Sequence, residues 1–378
     1  MKRTPALFAL ALALALPVAC GDTVSDVPGS DVDAGLDSGG KVGSDGSTGN
    51  DSGTKTDGAT GECGTCPSGY TCGSANGKAV CRSGAGIPLF EHVYVVLMEN
   101  TSLDTLDKAT NTPNLKRMAS TGASGKNYHG VTHPSLPNYI ALVTGDTQGI
   151  GCDCKAAPGQ GTCSAVSCNR VLSNCTCAAP MTTIADQLET AKKGWKAYAE
   201  GMGAACNVQN AGKYAVRHVP FLYDTKIQND ATRCANVVDL TAFDPETAPA
   251  FSFIAPDLEH DMHDPFPGGA QNLANGDGFI GPLVDRIVAS AAYKKSGLLV
   301  VVWDEDDASG GITGTDDPIP MFVMSPFAKS GGFASSLKMD HYTLLATLED
   351  GLALPRLGKA ATARAGFEPT LADFFPDK

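Results

Sequence analysis

Four short apolar runs stand out along the chain: HVYVVLM (92–98), FSFIA (251–255), LLVVVW (298–303) and MFVMS (321–325). They are rich in Val, Ile and Phe and almost free of polar residues, the pattern of strands buried on both faces. Between them the apolar spacing changes to the helical period, in TTIADQLETAKKGW (182–195) and IGPLVDRIVASAAY (280–293). NYIALVT predicts a further helix, with Pro137 in its first turn, Gly145 at its end and Ser135 just before its start. Buried strands alternating with amphipathic helices predict an α/β fold, a mostly parallel sheet sandwiched between helices.

The first 87 residues read differently. MKRTPALFALALALALPVAC has a basic start, an Ala/Leu core and small residues before Cys20, which is an export signal too short to span a bilayer. LPVAC resembles the lipobox of bacterial lipoproteins, so Cys20 is expected to carry the lipid that holds the protein to a membrane; an ordinary secretory signal is the alternative. Gly21 rather than Asp after Cys20 favours the outer membrane. Residues 21–60 are almost entirely Gly, Ser, Thr and Asp and predict a disordered tether.

The 13 cysteines agree with export, since so many free thiols are unexpected in a reducing compartment. Setting Cys20 aside leaves an even set for disulfides: Cys63, Cys66, Cys72 and Cys81, then Cys152, Cys154, Cys163, Cys168, Cys175, Cys177, Cys206 and Cys234. Residues 61–84 are expected to be a small disulfide-rich module, 150–178 a cross-linked surface insertion, and 88–378 the catalytic domain.

A net charge of −13 argues against a nucleic-acid partner. The candidate chemistry lies immediately after the strands. Glu99 and Asn100 follow the first run; PDLEHDMHD, with Asp257, His260, Asp261, His263 and Asp264, follows the second; Asp304, Glu305, Asp306 and Asp307 follow the third. Ligands of open α/β sheets bind beyond the carboxyl ends of the strands. Carboxylates crowded there repel one another unless a cation lies between them, and mixed His and carboxylate donors suit zinc, manganese or iron. His92 and His129 are expected to be structural. Ser135, between Pro134 and Leu136 at a helix start, lies where an anion is favoured. A GxSxG elbow is absent, so an esterase triad is not indicated.

Taken in order, HVYVVLMEN, THPSLPNYIALVTGD, APDLEHDMHD, VVWDEDD and DHYTLLATLEDGLALPRLG resemble the bacterial phosphoesterase family of acid phosphatases and phospholipases C, within the alkaline phosphatase-like superfamily. The resemblance covers about residues 90–360. It implies an alkaline phosphatase-like mixed sheet, Ser135 as nucleophile, and Glu99, Asn100, Asp304 and Glu305 around a divalent metal ion. It also implies that Asp261, His263 and His341 complete a second metal or phosphate-binding group. Asp257 stands where the family often has Asn, and which of Asp257, His260, Asp261 and His263 bind metal stays open. His133, as a base or as a loop residue, His218 and Asn138 are candidates for substrate contact. The implied activity is metal-dependent hydrolysis of phosphate monoesters, phosphoinositides included, through a phosphoserine. A phospholipase C-type phosphodiesterase and a non-catalytic envelope binding protein are the rivals.

Overall fold

A computed structural model of the chain describes residues 63–158, 175–263, 272–307 and 317–376. The expected signal, Cys20 and the tether lie outside these residues, as do Cys163, Cys168 and Asp264. The described residues belong to the compact unit Thr56–Lys378. Among them, no helix is long and apolar enough to cross a membrane.

In chain order the strands are β1 (Tyr70–Ala75), β2 (Lys78–Ser83), β3 (His92–Met98), β4 (Ala123–His129), β5 (Lys155–Pro158), β6 (Thr176–Ala178), β7 (Trp195–Ala199), β8 (Val237–Asp239), β9 (Phe251–Ala255), β10 (Gly297–Trp303), β11 (Ile319–Met324), β12 (Phe333–Ser335) and β13 (Met339–Asp340). The α-helices are α1 (Leu103–Lys108), α2 (Pro113–Thr121), α3 (Ser135–Thr144), α4 (Ile184–Thr190), α5 (Thr225–Gln228), α6 (Ala231–Cys234), α7 (Leu273–Ala289), α8 (Ala291–Ser296) and α9 (His341–Gly351). The central sheet runs β12-β4-β11-β10-β3-β9-β7-β8, with β13 also on β4. From β10 to β8 every pairing is parallel, and β11 is antiparallel to both β10 and β4. β4 therefore points the same way as β10, and its carboxyl end opens on the same edge.

The four apolar runs form β3, β9, β10 and β11, all but the first residue of β3 being buried. Elsewhere local chemistry overrides the sequence pattern. The helix expected over 182–195 stops at Thr190: Thr183 and Asp186 close a capping box at its start, Lys192 turns at φ 56°, and Trp195 opens β7. The helix over 280–293 begins earlier, at Leu273, and breaks at Ser290, whose hydroxyl accepts the Tyr293 N–H and starts α8. ASGKNYH has no apolar run yet forms β4, since β11, β12 and β13 supply its ladder.

Residues 63–83 form a hairpin held by Cys63–Cys72 and Cys66–Cys81. It packs on α9 and the C-terminal segment: the Tyr70 hydroxyl donates to the Asp350 carbonyl, and Arg82 donates to the carbonyls of Ser74, Gly86, Phe375 and Pro376. Two further bridges, Cys154–Cys177 and Cys206–Cys234, brace loops of the main body.

α9 is buried along its whole length, Glu349 included. One Glu349 oxygen accepts the Leu357 N–H at 2.8 Å and Gln187 Nε2 at 3.2 Å, while Oε2 has no hydrogen-bond partner among the described residues. Burial, only partly offset by those donors and by Arg356, pushes this carboxyl up to about 8. The unfolded chain releases the proton near the ordinary carboxylate value, so this group's stability contribution is whole at low pH and is lost as pH rises through 8. Glu349→Gln should therefore match its parent in urea unfolding near pH 4.5 and exceed it by roughly 1–3 kcal/mol above pH 8. A difference that does not grow with pH would refute this account of α9.

Candidate active site

The order β10-β3-β9 places three acid-bearing strand ends side by side. Asp304 N–H donates to the Met98 carbonyl at 3.0 Å, which continues the β10–β3 ladder past the strands, and Glu99 N–H donates to the Asp261 carbonyl at 2.8 Å, which ties the loop after β9 to the end of β3. Asn100 adopts φ 27°, a left-handed conformation that Asn tolerates better than most residues. From there its N–H donates to Asp304 Oδ1 at 3.1 Å and its Nδ2 to Glu305 Oε1 at 2.8 Å. The four-residue acidic run divides by role: Asp304 and Glu305 face this group, Asp306 lies 3.4 Å from His133, and Asp307 accepts from Ser102 and Thr105 at the start of α1.

The chain leaving β4 brings in the hydroxyl. Gly130 passes so near the Asp304–Glu305 turn that a Cβ there would lie 2.7 Å from the Asp304 carbonyl oxygen. Asn138, fully buried in the first turn of α3, accepts the Val131 and Thr132 N–H groups and donates to the Thr132 and Pro134 carbonyls and to Glu305 Oε2. It staples the loop to the acidic turn, and its amide is spent on that task. Ser135 is the first residue of α3 rather than the residue before it. Its hydroxyl donates to Glu99 Oε2 at 2.8 Å, with Asn100 Oδ1 at 3.5 Å and Glu305 Oε1 at 3.4 Å. His133 Nδ1 lies 2.8 Å from Glu305 Oε2.

His218 closes the other side. Stacked on Tyr139 with centroids 5.3 Å apart, it places Nε2 3.3 Å from Glu99 Oε1 and Nδ1 3.8 Å from Asp261 Oδ2. Burial, with Arg217 and His263 nearby, holds its pKa well below the usual histidine value, which favours the neutral ring. His263 donates its N–H to Asp261 Oδ1 at 2.9 Å, next to Met262 at φ 79°. Arg217 and Asp153, which the sequence reading did not single out, complete this side: Arg217 Nε lies 3.7 Å from Asp153 Oδ2, and Asp153 Oδ1 accepts the Leu136 N–H at 3.0 Å. The one sequence signal for Arg217 was its place before His218 in RHVPF.

Two expected residues sit elsewhere. His341 is fully buried, its Nε2 donating to the Asp304 carbonyl at 2.6 Å and its Nδ1 2.8 Å from the Tyr128 hydroxyl. Burial lowers its pKa to about 4, so the ring is neutral and stands behind Asp304, not as a cation with a free N–H in front of it. Asp257 groups with His260 and with Glu200, another residue the sequence reading passed over: His260 Nδ1 lies 3.0 Å from Glu200 Oε1 and 3.4 Å from Asp257 Oδ1, and the ring stacks on Phe279.

The donor set suits a cation. Glu99 Oε1 and Asp304 Oδ2 are buried and find no hydrogen-bond partner among the described residues. Burial pushes Glu99 up to about 7, against the pull of Arg217 and His263, and burial with the charges of Glu99 and Glu305 drives Asp304 well above the carboxylate range. Glu305 is raised by burial as well, with His133 opposing. Carboxylates so reluctant to ionise become favourable anions only beside added positive charge.

Known proteins resemble the chain in sequence and in fold. The sequence matches the Phosphoesterase family over residues 101–355. It is 28% identical over 298 residues to a phosphatidylinositol-3-phosphatase of Mycobacterium tuberculosis, covering 78% of this chain and 85% of that one. A probable acid phosphatase of Kluyveromyces lactis is 27% identical over 282 residues, and this chain spans 60% of its length while 71% of this chain is covered. Human ectonucleotide pyrophosphatase / phosphodiesterase 5 superposes with a TM-score of 0.50 at 12% identity, over 75% of this chain and 99% of that one, a likeness of fold alone. The mixed, mostly parallel central sheet is the architecture that the sequence pattern implied. With the family match spanning Ser135, the ends of β9 and β10, and α9, the chain belongs to the Phosphoesterase family and is a hydrolase acting on phosphate ester bonds.

Proposed function

We propose that the protein hydrolyses phosphate monoesters through a phosphoserine at Ser135 and requires a divalent metal ion. One observation carries the reading: three acceptor oxygens, from Glu99, Asn100 and Glu305, converge within 3.5 Å of one hydroxyl that has a single hydrogen to give. Such crowding of oxygens is unfavourable unless a cation joins them. Glu99, Asn100, Asp304 and Glu305 would hold that metal, which would offset charge on the phosphoryl oxygens and lower the proton affinity of Ser135.

The protein's own groups then have separate tasks. Glu99 accepts the Ser135 hydrogen and so aims the oxygen's lone pairs away from the carboxylate. Ser135 Oγ forms a bond to phosphorus as the ester oxygen leaves from the opposite face. His133 and His263, at the rim of the acidic group, are placed to give the departing alkoxide its proton. Water then attacks the phosphoserine, and phosphate leaves with Ser135 restored. His341 acts as a positioning residue, holding the Asp304 carbonyl through Nε2, and Asn138 positions the Ser135 loop. His218, neutral and packed on Tyr139, orients Glu99. Asp261 lies beside His218 and contributes negative charge that Arg217 balances, whereas Asp257 groups with Glu200 and His260.

Monoesters are preferred over diesters because the proteins of similar sequence are named as phosphatases, one of them for phosphatidylinositol 3-phosphate. The disulfides support export. Anchoring through a lipid on Cys20 is the matching inference for the envelope.

Purified protein should release p-nitrophenol from p-nitrophenyl phosphate and not from p-nitrophenylphosphorylcholine, with EDTA abolishing turnover and divalent metal restoring it. Diester turnover alone would favour the phospholipase C reading, and turnover untouched by chelation would remove the metal. Ser135→Ala should lower kcat on the order of a thousandfold, and acid-quenched parent enzyme should retain phosphate on Ser135 by mass spectrometry. A variant of near-parental rate would eliminate Ser135 as nucleophile. In cells, Cys20→Ser should move the protein from the membrane pellet to the soluble envelope fraction; an unchanged distribution would count against lipid anchoring.

A further inference from the structure

The amide that follows Ser135 is engaged. Leu136 N–H, in the first turn of α3, donates to Asp153 Oδ1 at 3.0 Å, and Asp153 Oδ2 faces Arg217 Nε at 3.7 Å. A helix N-terminal N–H and a guanidinium are the two donor types that proteins most often turn on phosphate oxygens. Here both are held by a carboxylate of the chain itself, at the residue next to the proposed nucleophile. Arg217 is largely buried, and its positive charge also acts on Glu99 and Asp261, so it belongs to the electrostatic frame of the same centre.

Asp153 is placed with some rigidity. It lies between Cys152 and Cys154, both disulfide-bonded, and the Cys154 carbonyl accepts the Tyr223 hydroxyl at 2.6 Å. Its backbone is pinned while its side chain remains 35% exposed, free to rotate toward water when another anion arrives. In a site already crowded by Glu99 and Glu305, a further carboxylate does nothing to help bind an anionic phosphoryl group. Its effect is on the threshold for binding one.

We propose that Asp153 is a specificity-determining residue, a resident carboxylate that occupies the phosphoryl donors beside Ser135 and that an incoming phosphoryl group must displace. This rests on Ser135 as the reacting group. Free phosphate meets the full opposition of Asp153 with only its own oxygens to offset it, whereas an ester adds the contacts of its alcohol part. The placeholder thus discriminates against product and keeps the enzyme turning over as phosphate accumulates.

The test compares the parent with Asp153→Asn, which keeps an oxygen for the Leu136 N–H and removes the charge, and with Asp153→Ala. In metal-supplemented enzyme, the Ki of inorganic phosphate should fall roughly three- to tenfold and the KM of p-nitrophenyl phosphate by a smaller factor, and an equal fall in the two would overturn the specificity role. Calorimetric binding of inorganic phosphate to Ser135→Ala and to Ser135→Ala with Asp153→Asn should show the same tightening without any turnover. Phosphate binding that is unchanged in Asp153→Asn overturns the proposal, since it reduces Asp153 to a helix cap; binding that weakens overturns it too, by making Asp153 the residue that aims Arg217 at phosphate. If Asp153→Ala fails to fold, Asp153→Asn decides alone. Should Ser135→Ala keep its activity, the nucleophile assignment fails by itself, while the calorimetric comparison still reports on Asp153.

Discussion

Buried negative charge, gathered where β10, β3 and β9 end, is the constraint that the rest of the molecule answers. A carboxylate removed from water without partners is strongly unfavourable, and here Glu99, Asp304 and Glu305 are drawn together. The chain compensates from every direction. Asn100 contributes a backbone and a side-chain donor, His133 and Asn138 reach Glu305, Arg217 sets its charge behind Glu99, and α3 directs its N-terminus toward the group. Even so, Glu99 remains poised near neutrality rather than securely ionised. In the proposed mechanism a metal ion would supply the missing positive charge, and a phosphoryl group would bring in a second set of charges to be balanced.

The same arrangement shows how rigidity is distributed. Ser135 is placed by a loop with little freedom left: Gly130 allows the backbone to lie against the Asp304 turn, and Asn138 closes the loop with five hydrogen bonds. His341 braces the turn from beneath, linked in turn to Tyr128 of β4. Reacting atoms held by such supports need no reorganisation as charge shifts, and this is the form in which a fold contributes to rate.

Much of this was legible in the sequence, for identifiable reasons. β3, β9, β10 and β11 are apolar on both faces, so their runs declared themselves, and three acidic clusters directly after such runs pointed to one edge of the sheet. Position after a strand could not say which acid turned inward: Asp304 and Glu305 did, whereas Asp307 caps α1 and Asp257 joined Glu200. β4 was missed because its polar residues are tolerated by pairing on both sides. Asp153 and Glu200 were missed because each is a lone acid whose partner is remote in sequence and defined only by the fold. His341 was found by motif, but its environment, dry and already hydrogen-bonded at both nitrogens, is a fact of three-dimensional packing.

Arg82 carries a consequence of another kind. Its guanidinium joins the disulfide-linked hairpin to the carbonyls of Phe375 and Pro376, a junction between segments separated by nearly the entire globular unit. Two of its four carbonyl acceptors, Ser74 and Gly86, are 8 and 4 residues away in the chain, whereas Phe375 and Pro376 are 293 and 294 residues away. Loosening either segment removes half of these acceptors, so the hairpin and the Phe375–Pro376 segment are tied to one local opening event.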